Sequence, residues 1–347
     1  MELSRQLHVE FVAPFLARRF SGLTYAAARI DGGSDVLGFE TQLSRDHGWG
    51  PRLTLFFEET DLRAVGDAVR SGLEAALPNE IDGIPTRFAQ PTADAPTAFG
   101  HGIQIDAIGT FFRNRIGCDP RFAMTMVDWL AAPAHRLRAV MDGRIWHDDA
   151  GRLQAVRERV RWYPDELWRG LLAVQWTRVA EQEAFMARCG DVGDDLGSRL
   201  ILARQTRELI LLAFLLAQSY PPYAKWLGLA FQRLPIAAKL GPSFERAQIA
   251  QDWRAREDAL NEAYSILGGV QNASSLASPV DLGIGSYRGR PYRVLGVERF
   301  AEALAATLPR DLRVSLGAVW QWTADARIDE APHRARAAIE SQISNGG

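Results

Sequence analysis

The chain changes its hydrophobic rhythm about a third of the way along. Up to about residue 117 the pattern alternates between helical and strand periods. Leu7, Phe11, Phe15 and Leu16 form a helical stripe within Leu3–Phe20, closed by Arg18 and Arg19 and stopped at Ser21-Gly22. Leu23–Ile30 is a run of small and apolar residues that predicts a first buried strand. Gly32-Gly33 breaks it, and Ser34-Asp35 is placed to cap a short helix at Val36-Leu37. Arg52–Phe57 reads as a second strand, and Leu62, Val65, Val69, Leu73 and Leu77 give a helix over Thr60–Leu77. Ile81–Gln90 holds short strands, Pro91–Gly100 reads as a surface loop, and His101–Ile108 alternates as a further strand.

Beyond Gly117–Pro120 the strand period fades. Phe122–Trp129, Pro133–Met141, Asp165–Arg188, Leu196–Ser219 and Ala247–Leu267 carry helical patterns. Ile145–Ala155 is expected to be a hairpin around Asp149-Ala150-Gly151, and Phe300–Leu308 and Asp325–Ile343 to be helices. The expected architecture is therefore an α/β domain with a small mixed sheet at 1–117, followed by a mainly helical domain at 118–347.

Composition narrows the function classes. A hydrophobic share of 47% leaves enough apolar surface for a large core, and a net charge of −2 supplies no field to recruit nucleic acid. The most apolar run, Leu209–Ala217, is too short for a bilayer, which takes roughly 20 residues. No basic segment followed by an apolar one opens the chain, and Cys118 and Cys189 stand alone. These features set the expectation of a cytoplasmic protein with no membrane partner.

The candidate chemistry gathers in Ile30–Phe57. A glycine lets backbone approach a phosphate, and Ser34 with helix N–H groups behind it suits one phosphate oxygen. Twelve residues on comes Asp46, within Ser44-Arg45-Asp46-His47-Gly48, and Asp106 is a later acid on a predicted strand. Acids on neighbouring strands beside a Gly-Ser turn are a means of holding Mg²⁺ against a triphosphate. In the helical half, Lys225 stands in a rigid Tyr-Pro-Pro-Tyr-Ala-Lys-Trp, and only two lysines occur in the chain. Arg204 and Arg207 share a helix face, as do Gln175, Arg178 and Gln182; these line a cleft or join helices by hydrogen bonds. His147-Asp148-Asp149 looks like a metal cluster but reads as a turn, and Trp162, Trp168 and Trp176 read as core.

Gly33-Ser34, then Ser44-Arg45-Asp46, then a later acid resembles the polymerase-β-type nucleotidyltransferases. A closer resemblance is to a bacterial nucleotidyltransferase-like family whose C-terminal helical part is a domain of unknown function. It rests on SRDHGWGPRL, QWTRVAEQEAF (175–185), GDDLGSRL (193–200), ARQTREL (203–209) and YPPYAKWLGLAF (220–231). The resemblance implies transfer of a nucleoside monophosphate from a triphosphate to a hydroxyl or amine of a small-molecule acceptor, with Mg²⁺. It implies Asp46 and Asp106 as catalytic residues and metal ligands, and Gly33, Ser34, Arg45, Lys225 and Arg207 as nucleotide contacts. The family pattern Asp-x-Asp meets Gly48 where its second acid would stand. Either His47 or Asp35 replaces that ligand, or one Mg²⁺ suffices, or the protein binds nucleotide without turning it over.

Overall fold

The structure, a computed structural model, describes residues 1–30, 32–45, 48–89, 99–309, 317–323 and 331–345; for residues 44, 45, 99 and 342–345 it describes the backbone only. Two compact units divide the chain, Met1–Arg161 with Glu330–Arg336, and Trp162–Asp329 with Ala337–Gly347. The division expected at 117/118 thus falls after Arg161. The reason is a strand that the sequence reading folded into a hairpin. Arg144–Asp148 turns directly into a helix, Arg152–Arg159, and pairs instead with the first strand of the chain.

In the first unit four strands form a mixed sheet. We number them β1 (Ala26–Arg29), β2 (Leu53–Phe57), β3 (Ile103–Ala107) and β4 (Arg144–Asp148), in the order β3-β2-β1-β4. β2 and β3 run parallel, with Leu53 beside Ile103 and Phe56 beside Asp106. β1 runs antiparallel to both β2 and β4. Two helices cover the sheet: α1 (Glu59–Ala76) on one face and α2 (Ile108–Ile116) on the other. Leu53, Leu55 and Phe57 of β2 pack with Ile103 and Ile105, with Val69 and Leu73 of α1, and with Leu7, Val12, Phe15 and Leu16 of the N-terminal helix. Phe56, turned the other way, meets the Phe111 ring of α2 edge-on at 5.1 Å. A strand covered on both faces is apolar throughout, which is why LTLFF shows no alternation in its sequence.

Where the N-terminal helix crosses the sheet, three rings meet. His8 Nε2 lies 3.2 Å from Tyr25 Oη, and His147 stacks on Tyr25 at 4.2 Å between ring centroids. His8 is 5% exposed. Burial, with the neighbouring His147, pushes its pKa down to about 4, and burial, with Asp149, pushes the Tyr25 hydroxyl up to about 12. A histidine depressed in the folded state stays neutral while the unfolded chain binds a proton. Its contribution is therefore complete above about pH 6.5 and is lost as the pH falls towards 4. We expect urea unfolding at pH 5 to show about 2 kcal/mol less stability than at pH 7 from this group alone, and His8→Gln to flatten that difference. His135, also depressed to about 4 by burial and Arg136, acts in the same direction.

The second unit is helical: α3 (Asp165–Ala180), α4 (Phe185–Asp191), α5 (Asp195–Leu216), α6 (Ala237–Ile249), α7 (Trp253–Ala273) and α8 (Glu298–Ala305). Two helices expected as continuous are broken, at 181–184 and at 250–252. At the first break Glu183 leaves the helix line and receives the N–H groups of Leu295, Gly296 and Val297, at 2.8, 3.0 and 3.1 Å. One carboxylate thus satisfies three consecutive backbone donors in the segment that leads into α8. Burial pushes the Glu183 carboxyl up, and those three donors pull it back. Trp176, fully buried, stacks on Phe300 at 4.6 Å and donates to Gln271, while Trp168 donates to the Leu215 carbonyl at 2.9 Å. The tryptophans of α3 are core, as their spacing predicts. No helix among the described residues is long and apolar enough to cross a membrane.

Candidate functional site

β1 reads Ala-Ala-Ala-Arg, and all four residues are buried. The three small side chains let covering elements approach the strand closely, and Arg29 ends it with a charge that must find a partner. It finds Asp35, six residues on. Arg29 Nε donates to Asp35 Oδ2 at 3.1 Å and Nη2 to Oδ1 at 2.9 Å, a forked pair with both side chains nearly out of solvent. The same Nη2 donates to the carbonyls of Gly32 and Gly48.

One guanidinium therefore joins the Gly-Ser turn to the segment that follows Asp46. The two backbones touch: a Cβ placed on Gly33 would lie 3.3 Å from the Gly48 carbonyl and 2.6 Å from Arg29 Nη2. Glycine at 33 is required by this close approach. Gly48 takes φ +67°, the left-handed region in which glycine costs nothing.

Beyond Gly33 the chain makes one helical turn. Leu37 N–H reaches the Gly33 carbonyl at 3.2 Å and Phe39 N–H the Ser34 carbonyl at 2.8 Å, and Gly38 at φ +68° ends the turn. N–H groups at the start of such a turn point out of it, the arrangement that receives a phosphate oxygen. Val36, Leu37 and Phe39 anchor the turn in the core. Ser34, the residue expected to meet a phosphate oxygen, is 5% exposed.

The remaining expected residues fall in several places. Asp46 and His47 lie outside the described residues, and Arg45 is described through its backbone, at the end of a 3₁₀ turn Gln42–Arg45. Gly48 stands in a bend five residues ahead of β2. Asp35 belongs to Arg29 and is not a spare ligand. Arg52 donates to the Trp49 carbonyl at 3.1 Å and lies over the Phe88 ring at 4.0 Å.

Asp106 is not brought to the clasp. The chain enters β2 from Gly48 at the level of the Leu53–Ile103 pair, and Asp106 sits three residues farther along β3, roughly 10 Å of strand. Its carboxylate accepts from the Ala107 N–H at 2.8 Å and from Gln104 at 3.4 Å. Burial raises its pKa, while those hydrogen bonds and Arg115 and Arg113 lower it. Among the described residues no group of three or more His, Cys, Asp or Glu side chains is placed to hold a metal ion. With Asp35 paired, Gly48 bare and Asp106 at the far end of its strand, the described side chains do not form a two-carboxylate Mg²⁺ site.

In the helical unit Lys225 is exposed, in the 3₁₀ turn Ala224–Trp226, with its ammonium 4.8 Å from the Trp226 ring. Arg207 Nη1 lies 3.4 Å from Glu208, and Arg204 3.5 Å from Glu181. The inward polar face of α3 is an interhelical network. Gln175 donates to the Glu208 carboxylate at 2.8 Å, Arg178 to the same carboxylate at 3.2 Å, and Gln321 to the Gln175 side-chain oxygen Oε1 at 3.1 Å. Asp148 caps the helix Arg152–Arg159 by accepting from Gln154 N–H, and His147 and Asp149 pair at 2.8 Å.

The residue the sequence reading missed is Arg29. Its signal was present: a lone arginine closing a strand of alanines, with an aspartate across the turn. A buried charge in such a place calls for an ion-pair partner nearby.

Residues 129–227 match the family model described as "Domain of unknown function (DUF4037)". That segment begins in the first unit, includes β4, and continues into the second. Three of the helical stretches on which the resemblance rests lie inside it, and the fourth runs into its end. Among solved structures, the chain is similar to a nucleotidyltransferase-like protein from Exiguobacterium sibiricum 255-15, at 9% identity and a TM-score of 0.36, over 78% of this chain and 76% of that one. No protein of curated function matches. Residues 129–227 are thus similar to a domain of unknown function and span most of the stretches of the helical half on which the resemblance rests.

Proposed function

We propose that the chain binds the phosphates of a nucleoside triphosphate on the Gly32-Gly33 turn. The observation that carries this reading is the Arg29 clasp, which holds the start of a helical turn and the Gly48 segment against each other. The first N–H groups of a helical turn suit an anion, and a glycine side of the turn lets a phosphate approach the backbone. Asp35 neutralises Arg29 from below, so the attraction for an anion rests on backbone donors.

Titration calorimetry with each of the four common triphosphates, with and without Mg²⁺, tests it. Binding is expected with at least one of them. It is expected to vanish in Gly33→Ala, whose added methyl collides with Arg29 and opens the clasp. Absence of heat with all four sinks the proposal.

Nucleotidyl transfer to a hydroxyl or amine of a small acceptor is the second reading. The position of Asp46, two residues from the clasped Gly48, favours it. In this reading Asp46 holds Mg²⁺ at the phosphates. Pyrophosphate release in the presence of cell extract, lost in Asp46→Ala, is its signature. Aspartate tolerates the left-handed backbone at 48, and a Cβ there meets nothing closer than the Gly32 carbonyl at 3.5 Å. Gly48→Asp is therefore expected to fold and to strengthen Mg²⁺-dependent binding. A variant that folds and shows no change places the metal elsewhere.

A further inference from the structure

Along the first half of α5 one largely apolar line stays uncovered. Leu196, Leu200, Ala203 and Arg207 follow one another at steps of four and three residues and share one face. Leu196 is 71% exposed and Leu200 63%. One flank is bordered by Arg204, paired with Glu181 at the end of α3. The opposite flank is closed by the end of α6, where Arg199 donates to the Ala250 carbonyl at 3.4 Å and Gln248 to Thr206 at 3.3 Å. Between these flanks the line stays open, and Val192 at 78% and Ile249 at 73% exposure widen it. An exposed apolar patch of this kind marks an association surface.

The charges around the leucines identify the occupant. Asp191, Asp194 and Asp195 lie ahead of them, and Arg204 and Arg207 behind. A complementary helix must be apolar in the middle and carry the opposite order of charge. The same stripe laid antiparallel meets both conditions. We infer that this face docks on a second copy of the chain, about a two-fold axis that sets Leu200 against Ala203 of the other copy and Leu196 against its Arg207. The acidic start of each stripe then lies over the basic end of the other. Each of these charges also has a partner within the chain, so they set orientation more than strength. A single helix pair falls short of the roughly 1,000 Å² of a tight interface, which makes the dimer weak and concentration-dependent. The inference stands apart from the proposed nucleotide site, which lies in the other unit.

Sedimentation or light scattering on the full chain, from micromolar to near-millimolar concentration, tests it. The mass is expected to rise towards that of two chains. Leu200→Glu is expected to weaken dimerisation at least about tenfold with an unchanged circular dichroism spectrum. Leu196→Glu serves as the second variant, should the first misfold. Leu229→Glu, outside the stripe on a residue 44% exposed, is expected to leave the mass curve unchanged. A chain that stays monomeric throughout, or a Leu200→Glu variant that is folded and dimerises like the parent, overturns the inference. So does growth beyond two copies.

Discussion

Arg29→Met is expected to lower the unfolding free energy by about 3–5 kcal/mol and to abolish triphosphate binding. The side chains of Arg29 and Asp35 are 6% and 2% exposed. Removing Arg29 leaves the buried Asp35 carboxylate to the N-terminal ammonium of Met1, 3.7 Å away, and desolvation rather than the lost attraction sets the size of the effect. Methionine fills much of the volume but cannot hold the Gly48 carbonyl. The companion variant Arg29→Met/Asp35→Leu separates the two roles. It is expected to recover most of the stability, because no charge is left buried, while binding stays lost because the two backbone segments are no longer clasped. Urea unfolding and calorimetry on the same samples read both quantities. Full binding in the double variant would show that the clasp is only structural.

The second large effect is expected at Glu208, which is 2% exposed and accepts from Gln175, Arg178 and Arg207. Glu208→Ala leaves the Arg178 guanidinium without its counter-charge, and the expected loss is about 3–5 kcal/mol. Replacing both members, in Arg178→Met/Glu208→Leu, is expected to restore most of that loss. Neither variant is expected to change triphosphate affinity, measured under conditions where both remain folded. A change in affinity larger than the loss of folded protein explains would return this face to the role of a ligand cleft.

Much of the layout was legible because it depends on short-range pattern. The stripe of Leu62, Val65, Val69, Leu73 and Leu77 marks a helix whatever it packs against, and the helix is there at Glu59–Ala76. The Gly-Gly break after the first strand, the strand at Leu53–Phe57 and the alternation before Ile108 were equally local. Arg144–Asp148 was misread because a strand that completes another sheet and a strand that turns back on itself have the same local signature. Only pairing with Ala26–Arg29 distinguishes them, across more than a hundred residues of chain. The breaks at 181–184 and 250–252 were missed for a related reason. Glu183 leaves the helix to satisfy donors near residue 296, an interaction no window around Glu183 contains.

The candidate site divides in the same way. Gly33 and Gly48 were visible as residue types, and their joint meaning was not. The sequence by itself determined the α/β-then-helical order, the Gly-Ser turn between the first two strands, and the tryptophan core of the helical half. These follow from periodicity and backbone freedom. Tertiary structure decided that Arg29 pairs with Asp35, that Gly48 is pressed against Gly33, that Asp106 stands along β3 from both, and that the polar face of α3 binds another helix. Each of those depends on which distant charge shares a buried space, and burial is a property of the folded chain.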